Sequence, residues 1–324
     1  MATVSRRLLR SLVSRRSFHL SSRLNIDPKT AEEIRIPVPW GYIAGKWWGS
    51  KDIQPIVAIH GWLDNAGTWK PFAKELSPNF SLLAVDIPGH GLSSHLPPFQ
   101  TYSFYSSAAV IRRIKKYFDF DNLSLLGHSG GSAMCFIYSS LYPEDVHSYF
   151  GIDYLLYAYK DELKRAEKVG KLIDKKILLS FRDPTKAKSY TEEEAIRTWV
   201  TATKGSLTES TAKILMERGV FKVANSKVAF SRDGRLKTPD LSSINVAQAH
   251  SLAENIKCNV CIVKAKESKL FDGGIKYCPD ILNIIEKNAK SFYFHKLDGN
   301  HHLHMDIPEK VVEVYSDFIN NTQN

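Results

Sequence analysis

Residues 121–143, DNLSLLGHSGGSAMCFIYSSLYP, decide the fold. Leu123, Leu125 and Leu126 read as a short apolar strand. Gly127-His128-Ser129-Gly130-Gly131 reads as a tight turn of small residues, and the run after it as a helix whose apolar side carries Ala133, Phe136, Ile137 and Leu141. A serine raised on a strand-to-helix turn needs glycine on both sides, because a Cβ at either flank would collide where strand and helix close on each other. The same turn directs the Gly130 amide and the positive end of a helix toward the point where an oxyanion would form. Ser129 is therefore the candidate nucleophile. The competing reading is a glycine-rich loop that happens to contain serines.

Outward from this stretch, the chain alternates strands and helices. Glu33–Gly49 alternates apolar and polar residues about a Trp40-Gly41 turn, which predicts a hairpin. Residues 55–59 (PIVAI) form a continuous apolar strand of the kind buried on both faces of a parallel sheet. Further strands are expected over 81–86, 149–153, 260–265 and 292–297, with helices over 68–76, 105–118, 279–288 and 308–319. That rhythm argues an α/β fold with a mostly parallel, doubly wound sheet. Residues 154–255 break it: little strand is expected, and amphipathic helices are predicted over 158–179, 192–203, 208–218 and 246–256. The domain reading is a sheet core from 26–153 and 256–324, with 154–255 as an inserted helical cap. The lysines of the first cap helix (Lys160, Lys164, Lys168, Lys171, Lys175) read as solvated surface.

The net charge of +10 suggests nucleic acid until it is located. Residues 1–25 hold Arg6, Arg7, Arg10, Arg15, Arg16 and Arg23 and no acid, so the remainder carries only +4. An Arg- and Ser-rich, acid-free leader, with Leu8, Leu9, Leu12 and Val13 able to form an apolar face, has the composition of a mitochondrial presequence. Arg16, Phe18 and Ser21 resemble a processing pattern that would release a chain near Ile26. The expected location is the mitochondrial matrix, with cytoplasm or peroxisome as the alternative, and no nucleic-acid partner is expected. No apolar run reaches the roughly 18 residues that span a bilayer, so no integral membrane association is expected. Cys258 and Cys261 form a C-x-x-C, but an odd separation along a strand sets them on opposite faces, as packing residues.

Three strand-end loops carry the chemistry, on the edge where such sheets bind ligands. One holds Ser129. The second is His60-Gly61-Trp62, whose Trp62 amide pairs with that of Gly130 as the expected oxyanion hole; Asp64 and Asn65 either hold this loop or are a plain polar turn. The third, DGNHHLH from Asp298 to His304, supplies His301 as general base, since a serine alcohol needs an imidazole to take its proton. His302 and His304 read as supporting residues, His128 as packed, and His90 is given no role. A His-His-x-His run invites a metal, but no further ligands stand at a recognisable spacing, so no metal and no cofactor are expected. For the acid, Ser268 stands where an aspartate is expected. Asp153, closing the strand after the nucleophile helix, is preferred, and Glu267 is second.

The succession HGWLDNAGTW, VDIPGHGLSS, LLGHSGGS and DGNHHLHMDIPEKV resembles the α/β-hydrolase superfamily. PWGYIAGKWWGS and ERGVFKVANSKVAFSRDGRLK resemble, within it, the serine hydrolase-like (Kraken-type) family, so the likeness spans about residues 33–319. The resemblance implies Ser129 as nucleophile and His301 as base, and no single defined substrate. The expected activity is hydrolysis of a small-molecule carboxylic ester with an apolar acyl or aryl group, as Trp199, Phe221 and Phe230 suggest; a thioester or amide is the lesser alternative. The rival is a non-catalytic ligand-binding protein on the same scaffold.

Overall fold

The computed structural model describes residues 30–322 other than 157, 160, 161, 182–186, 239–243 and 276–279. The predicted presequence, its release point near Ile26 and Lys160 lie outside the described residues. The chain opens with β1 (Glu32–Val38), β2 (Gly41–Trp48) and β3 (Ile56–Ile59). A 3-10 turn (Ala66–Trp69) then leads into α1 (Lys70–Glu75), β4 (Leu82–Val85), α2 (Phe104–Phe118), β5 (Leu123–His128), α3 (Gly130–Leu141) and β6 (Val146–Ile152). After an insertion come α7 (Val246–Glu254), β11 (Asn259–Ala265), α8 (Leu270–Ile275), α9 (Ile281–Asn288), β12 (Ser291–Leu297), α10 (Leu303–Asp306) and α11 (Pro308–Asn320).

Eight strands form one sheet in the order β1-β2-β4-β3-β5-β6-β11-β12. The β1-β2 hairpin pairs antiparallel, β2 meets β4 antiparallel, and every other pair is parallel. Side-chain alternation splits the core in two. Val57, Ile59, Val260 and Ile262 pack with α2, α3, α7 and α9 on one face; Ala58, Cys261, Val263 and Ala265 pack with α1 and α11 on the other. Cys258 belongs to the first layer and Cys261 to the second. Burial pushes the Cys258 thiol up to about 12, which suits a packing residue.

Two differences from the sequence reading concern the insertion. It contains β7 (Ala158–Tyr159), α4 (Glu162–Ser180), α5 (Glu192–Ala202), α6 (Glu209–Gly219), β8 (Val220–Lys222), β9 (Val228–Phe230) and β10 (Ile244–Asn245). The four short strands make two two-stranded ribbons, β7 with β10 and β8 with β9. Strands of two or three residues carry too little pattern to be read as such. In addition, α7, assigned from sequence to the insertion, packs on the sheet: Ala249, Ala253 and Ile256 sit in the layer with Val260 and Ile262. This helix thus shares an apolar layer with α2, α3 and α9. Lys168, Lys171 and Lys175 are exposed, as solvated surface should be.

One buried ion pair fastens the insertion to the sheet. Arg218 at the end of α6 and Asp86 after β4 have side chains 1% and 0% exposed, with Nη2–Oδ2 at 2.7 Å and Nε–Oδ2 at 3.1 Å. Asp86 also accepts the amides of Ala66 (2.7 Å) and Leu92 (2.9 Å), and Arg218 reaches Glu33 on β1. Removing one partner leaves the other charge buried and unpaired, which costs about 3–5 kcal/mol. Arg218→Ala is expected to lower the melting temperature by roughly 10 °C in a thermal melt; a change within 2 °C would show the pair to be energetically idle.

Candidate active site

Four strand ends meet on one edge of the sheet: β3 leads to Trp62, β5 to Ser129, β6 to Asp153 and β12 to His301. Ser129 has φ 52° and ψ −124°, a left-handed backbone that non-glycine residues adopt at a cost of about 1–3 kcal/mol. The turn is held by the Ser129 amide, which donates to Ile152 O at 2.9 Å, and by Ser129 O, which accepts from Ser132 N at 2.9 Å. The flanking glycines are steric necessities. A Cβ on Gly131 would lie 2.1 Å from Ile59 O, and one on Gly127 would lie 2.6 Å from Ser132 Cα.

His301, 7% exposed, stands between two partners. Its Nε2 is 2.8 Å from Ser129 Oγ and its Nδ1 is 2.7 Å from Asp153 Oδ2. Asp153 is fully buried, with a left-handed backbone (φ 48°) that aspartate tolerates better than most residues. Its other carboxylate oxygen accepts the Ala265 amide at 2.9 Å, and its own amide donates to Val263 O at 2.8 Å, so the end of β11 anchors it. Glu267 is exposed, and the side-chain partners of His301 are Ser129 and Asp153 instead. Glu267 clasps the histidine loop: its carboxylate accepts the Gly299 amide, and its amide donates to Gly299 O at 3.2 Å. Of the two acids the sequence left open, the structure brings Asp153 to the histidine.

Trp62 adjoins Gly130: its backbone nitrogen lies 3.2 Å from the position a Gly130 Cβ would take. The Trp62 loop is tied from several sides. The Leu63 amide donates to His90 Nε2 at 3.1 Å, and Trp62 Nε1 donates to Leu236 O in the insertion at 2.9 Å. Asn65 accepts the Gly67 amide at 2.9 Å and donates to Leu215 O at 2.9 Å. His90, given no role from sequence, thus positions this loop; a Gly-His-Gly turn offers no sequence signal for a partner 27 residues away. Trp62 and Phe104, with ring centroids 5.7 Å apart, stand beside Gly130 as apolar wall. Trp199 packs edge-on to Phe230 at 5.4 Å in a small core with Leu207, Leu215 and Met305, and Phe221 is exposed.

The other histidines divide their tasks. His128 donates Nε2–H to His301 O at 2.8 Å, His302 Nδ1 meets Ser206 Oγ at 2.8 Å, and His304 Nε2 meets Thr68 Oγ1 at 2.7 Å. Burial holds His60 down to about 4 and His304 to about 3, and pushes His90, His128 and His302 well below the ordinary value. In the unfolded chain each titrates near 6.5, so below that pH the unfolded state binds more protons and stability falls as pH falls. Burial raises Asp64 to about 7, which acts oppositely, favouring the folded state as pH drops from there. Five groups outweigh one, each worth on the order of 1.4 kcal/mol per pH unit. The melting temperature is therefore expected to fall steeply between pH 6.5 and 5, and a flat profile would mean that these imidazoles do not stay neutral.

A serine, an imidazole and a buried carboxylate in line can move a proton off the serine and stabilise the resulting imidazolium. Comparison with known proteins gives the fold and the family. Residues 54–188 match the family described as alpha/beta hydrolase fold. A probable serine hydrolase of Drosophila melanogaster is 34% identical over 282 residues, 86% of this chain and 85% of its own. The crystal structure of a hypothetical protein from Pseudomonas aeruginosa PAO1 superposes with a TM-score of 0.77 at 26% identity, over 89% of this chain and 99% of that one. A thioesterase domain from the curacin biosynthetic pathway superposes with a TM-score of 0.74 at 22% identity, over 88% and 98% of the two chains.

Proposed function

The chain belongs to the serine hydrolase-like family of the α/β-hydrolase fold, and from that premise we propose that it hydrolyses a carboxylic ester through an acyl-Ser129 intermediate. The observation that carries the reading is the unbroken relay from Ser129 Oγ to His301 (2.8 Å) and from His301 to Asp153 (2.7 Å). In the first half-reaction Ser129 Oγ attacks the ester carbonyl while His301 Nε2 takes the hydroxyl proton. Asp153 holds Nδ1–H toward itself, fixing the tautomer and stabilising the imidazolium. The carbonyl oxygen, now anionic, accepts the amides of Gly130 and Trp62. The imidazolium returns its proton to the departing alcohol, leaving the acyl-enzyme. Water then gives a proton to His301 and attacks the acyl carbon, and Ser129 leaves with that proton. No cofactor enters this sequence.

Trp62 and Phe104 beside Gly130 favour an apolar acyl or aryl group. We read the insertion between β6 and α7 as a cap over this edge, because Leu236 holds Trp62 and Ser206 holds His302. The Arg-rich leader favours action in the mitochondrial matrix. With p-nitrophenyl acyl esters, the full chain is expected to release a burst of nitrophenol of one equivalent or less, followed by steady turnover. A folded protein that releases none across a range of acyl lengths would overturn the hydrolase reading.

A further inference from the structure

Three side chains that the proposed reaction does not use converge behind the Ser129–His301 pair. A carboxylate oxygen of Asp64, a ring nitrogen of His128 and a ring nitrogen of His302 lie within 4.8 Å of one another, and all three residues are buried. In the sequence, the His301-His302-x-His304 run has no further ligands at a recognisable spacing. The fold supplies them from elsewhere, one from the β3 loop and one from the nucleophile turn.

The unused lone pairs point to a cation. His128 donates Nε2–H to a carbonyl that can only accept, so in the neutral ring Nδ1 is a bare acceptor, and it has no partner. Asp64 Oδ1 accepts the Asn65 amide at 2.7 Å, while its buried Oδ2 lacks a well-formed hydrogen bond, the nearby Thr68 hydroxyl being engaged with His304 Nε2 at 2.7 Å. His302 is oriented by Ser206 Oγ. Buried acceptors without donors are unfavourable, the more so when charged. Two imidazoles and a carboxylate are a zinc donor set, and an imidazole that gives its other N–H to a backbone carbonyl has the outer support typical of metal-bound histidine.

We propose that Asp64, His128 and His302 form a binding site for a divalent transition-metal ion of the zinc type. Binding requires the carboxylate ionised and both imidazoles neutral, with any proton on Asp64 released to solvent. The site is coupled to the relay, because His128 immediately precedes Ser129 and His302 immediately follows His301. The His301 ring centroid is 4.7 Å from that of His128 and 5.1 Å from that of His302. A dication here opposes the imidazolium that His301 must become, so occupancy is expected to slow ester turnover at least tenfold, reversibly with a chelator. This last effect rests on the hydrolase reading; the binding itself does not.

The test is equilibrium dialysis of the full chain against Zn2+, with X-ray absorption spectroscopy of the loaded wild type. The expected result is one tightly held Zn2+ per chain, a first shell with two imidazoles and a carboxylate oxygen, and at least a tenfold loss of affinity in both Asp64→Asn and His302→Gln. No tight binding, a shell with fewer than two imidazoles, or affinity unmoved by both substitutions would overturn the site and leave an ordered water, or surface histidines, as the occupant or binder. Should either variant fail to fold, the wild-type stoichiometry and shell still decide. Tight binding without turnover in any condition would sustain the site and count against the hydrolase reading alone.

Discussion

Asp153→Asn is expected to lower kcat/KM for an ester by about four orders of magnitude with the fold intact. Asparagine keeps an oxygen for the Ala265 amide, which Asp153 Oδ1 accepts at 2.9 Å, so the anchoring of the β6 end survives. The second terminal atom becomes an N–H donor facing His301 Nδ1. That removes the acceptor at 2.7 Å and forces the imidazole toward the tautomer that carries its proton on Nε2, where it can no longer take one from Ser129. Glu267→Gln is the paired control: the side chain is exposed and serves the Gly299 amide, so less than a tenfold loss is expected. Steady-state kinetics with circular dichroism on both variants would check this. A large loss in Glu267→Gln with little in Asp153→Asn would reverse the assignment of the acid.

Ser129→Ala is expected to cost about six orders of magnitude in kcat, leaving only what binding and the oxyanion amides contribute. Structure should change little. Alanine at φ 52° carries the same backbone strain as serine there, and the two main-chain bonds of the turn, to Ile152 and Ser132, do not involve Oγ. His301 keeps Asp153. A melting temperature within a few degrees of wild type, together with loss of turnover, would separate chemistry from folding. Turnover retained within tenfold would place the nucleophile elsewhere.

Most of the sheet could be read in the sequence because its signals are local. PIVAI and NVCIV are apolar runs long enough to mark buried strands, and the glycines at 127 and 131 announce the turn they permit. The insertion was less legible. Its ribbons are two or three residues long, and α7 has a helical pattern that says nothing about which body it packs on. The same limit governs the site. Ser129 and His301 stand in recognisable surroundings, whereas the acid is defined by a partner 148 residues away, so two candidates had to be carried. Asp64, His128 and His302 come from three separate segments, and spacing within any one of them could not reveal their convergence. The aromatic residues of the insertion were chosen on composition. Composition cannot distinguish Trp199, which packs a local core, from Phe104, which borders Gly130.

The central claim is that Ser129 is a nucleophile activated by His301. Its most direct test is reaction of the full chain with a fluorophosphonate, with the modified peptide located by mass spectrometry. One phosphonyl group per chain, on Ser129, absent from Ser129→Ala and sharply slowed in His301→Ala, is the predicted result. A folded protein that stays unmodified, or carries the label on another residue, would contradict it.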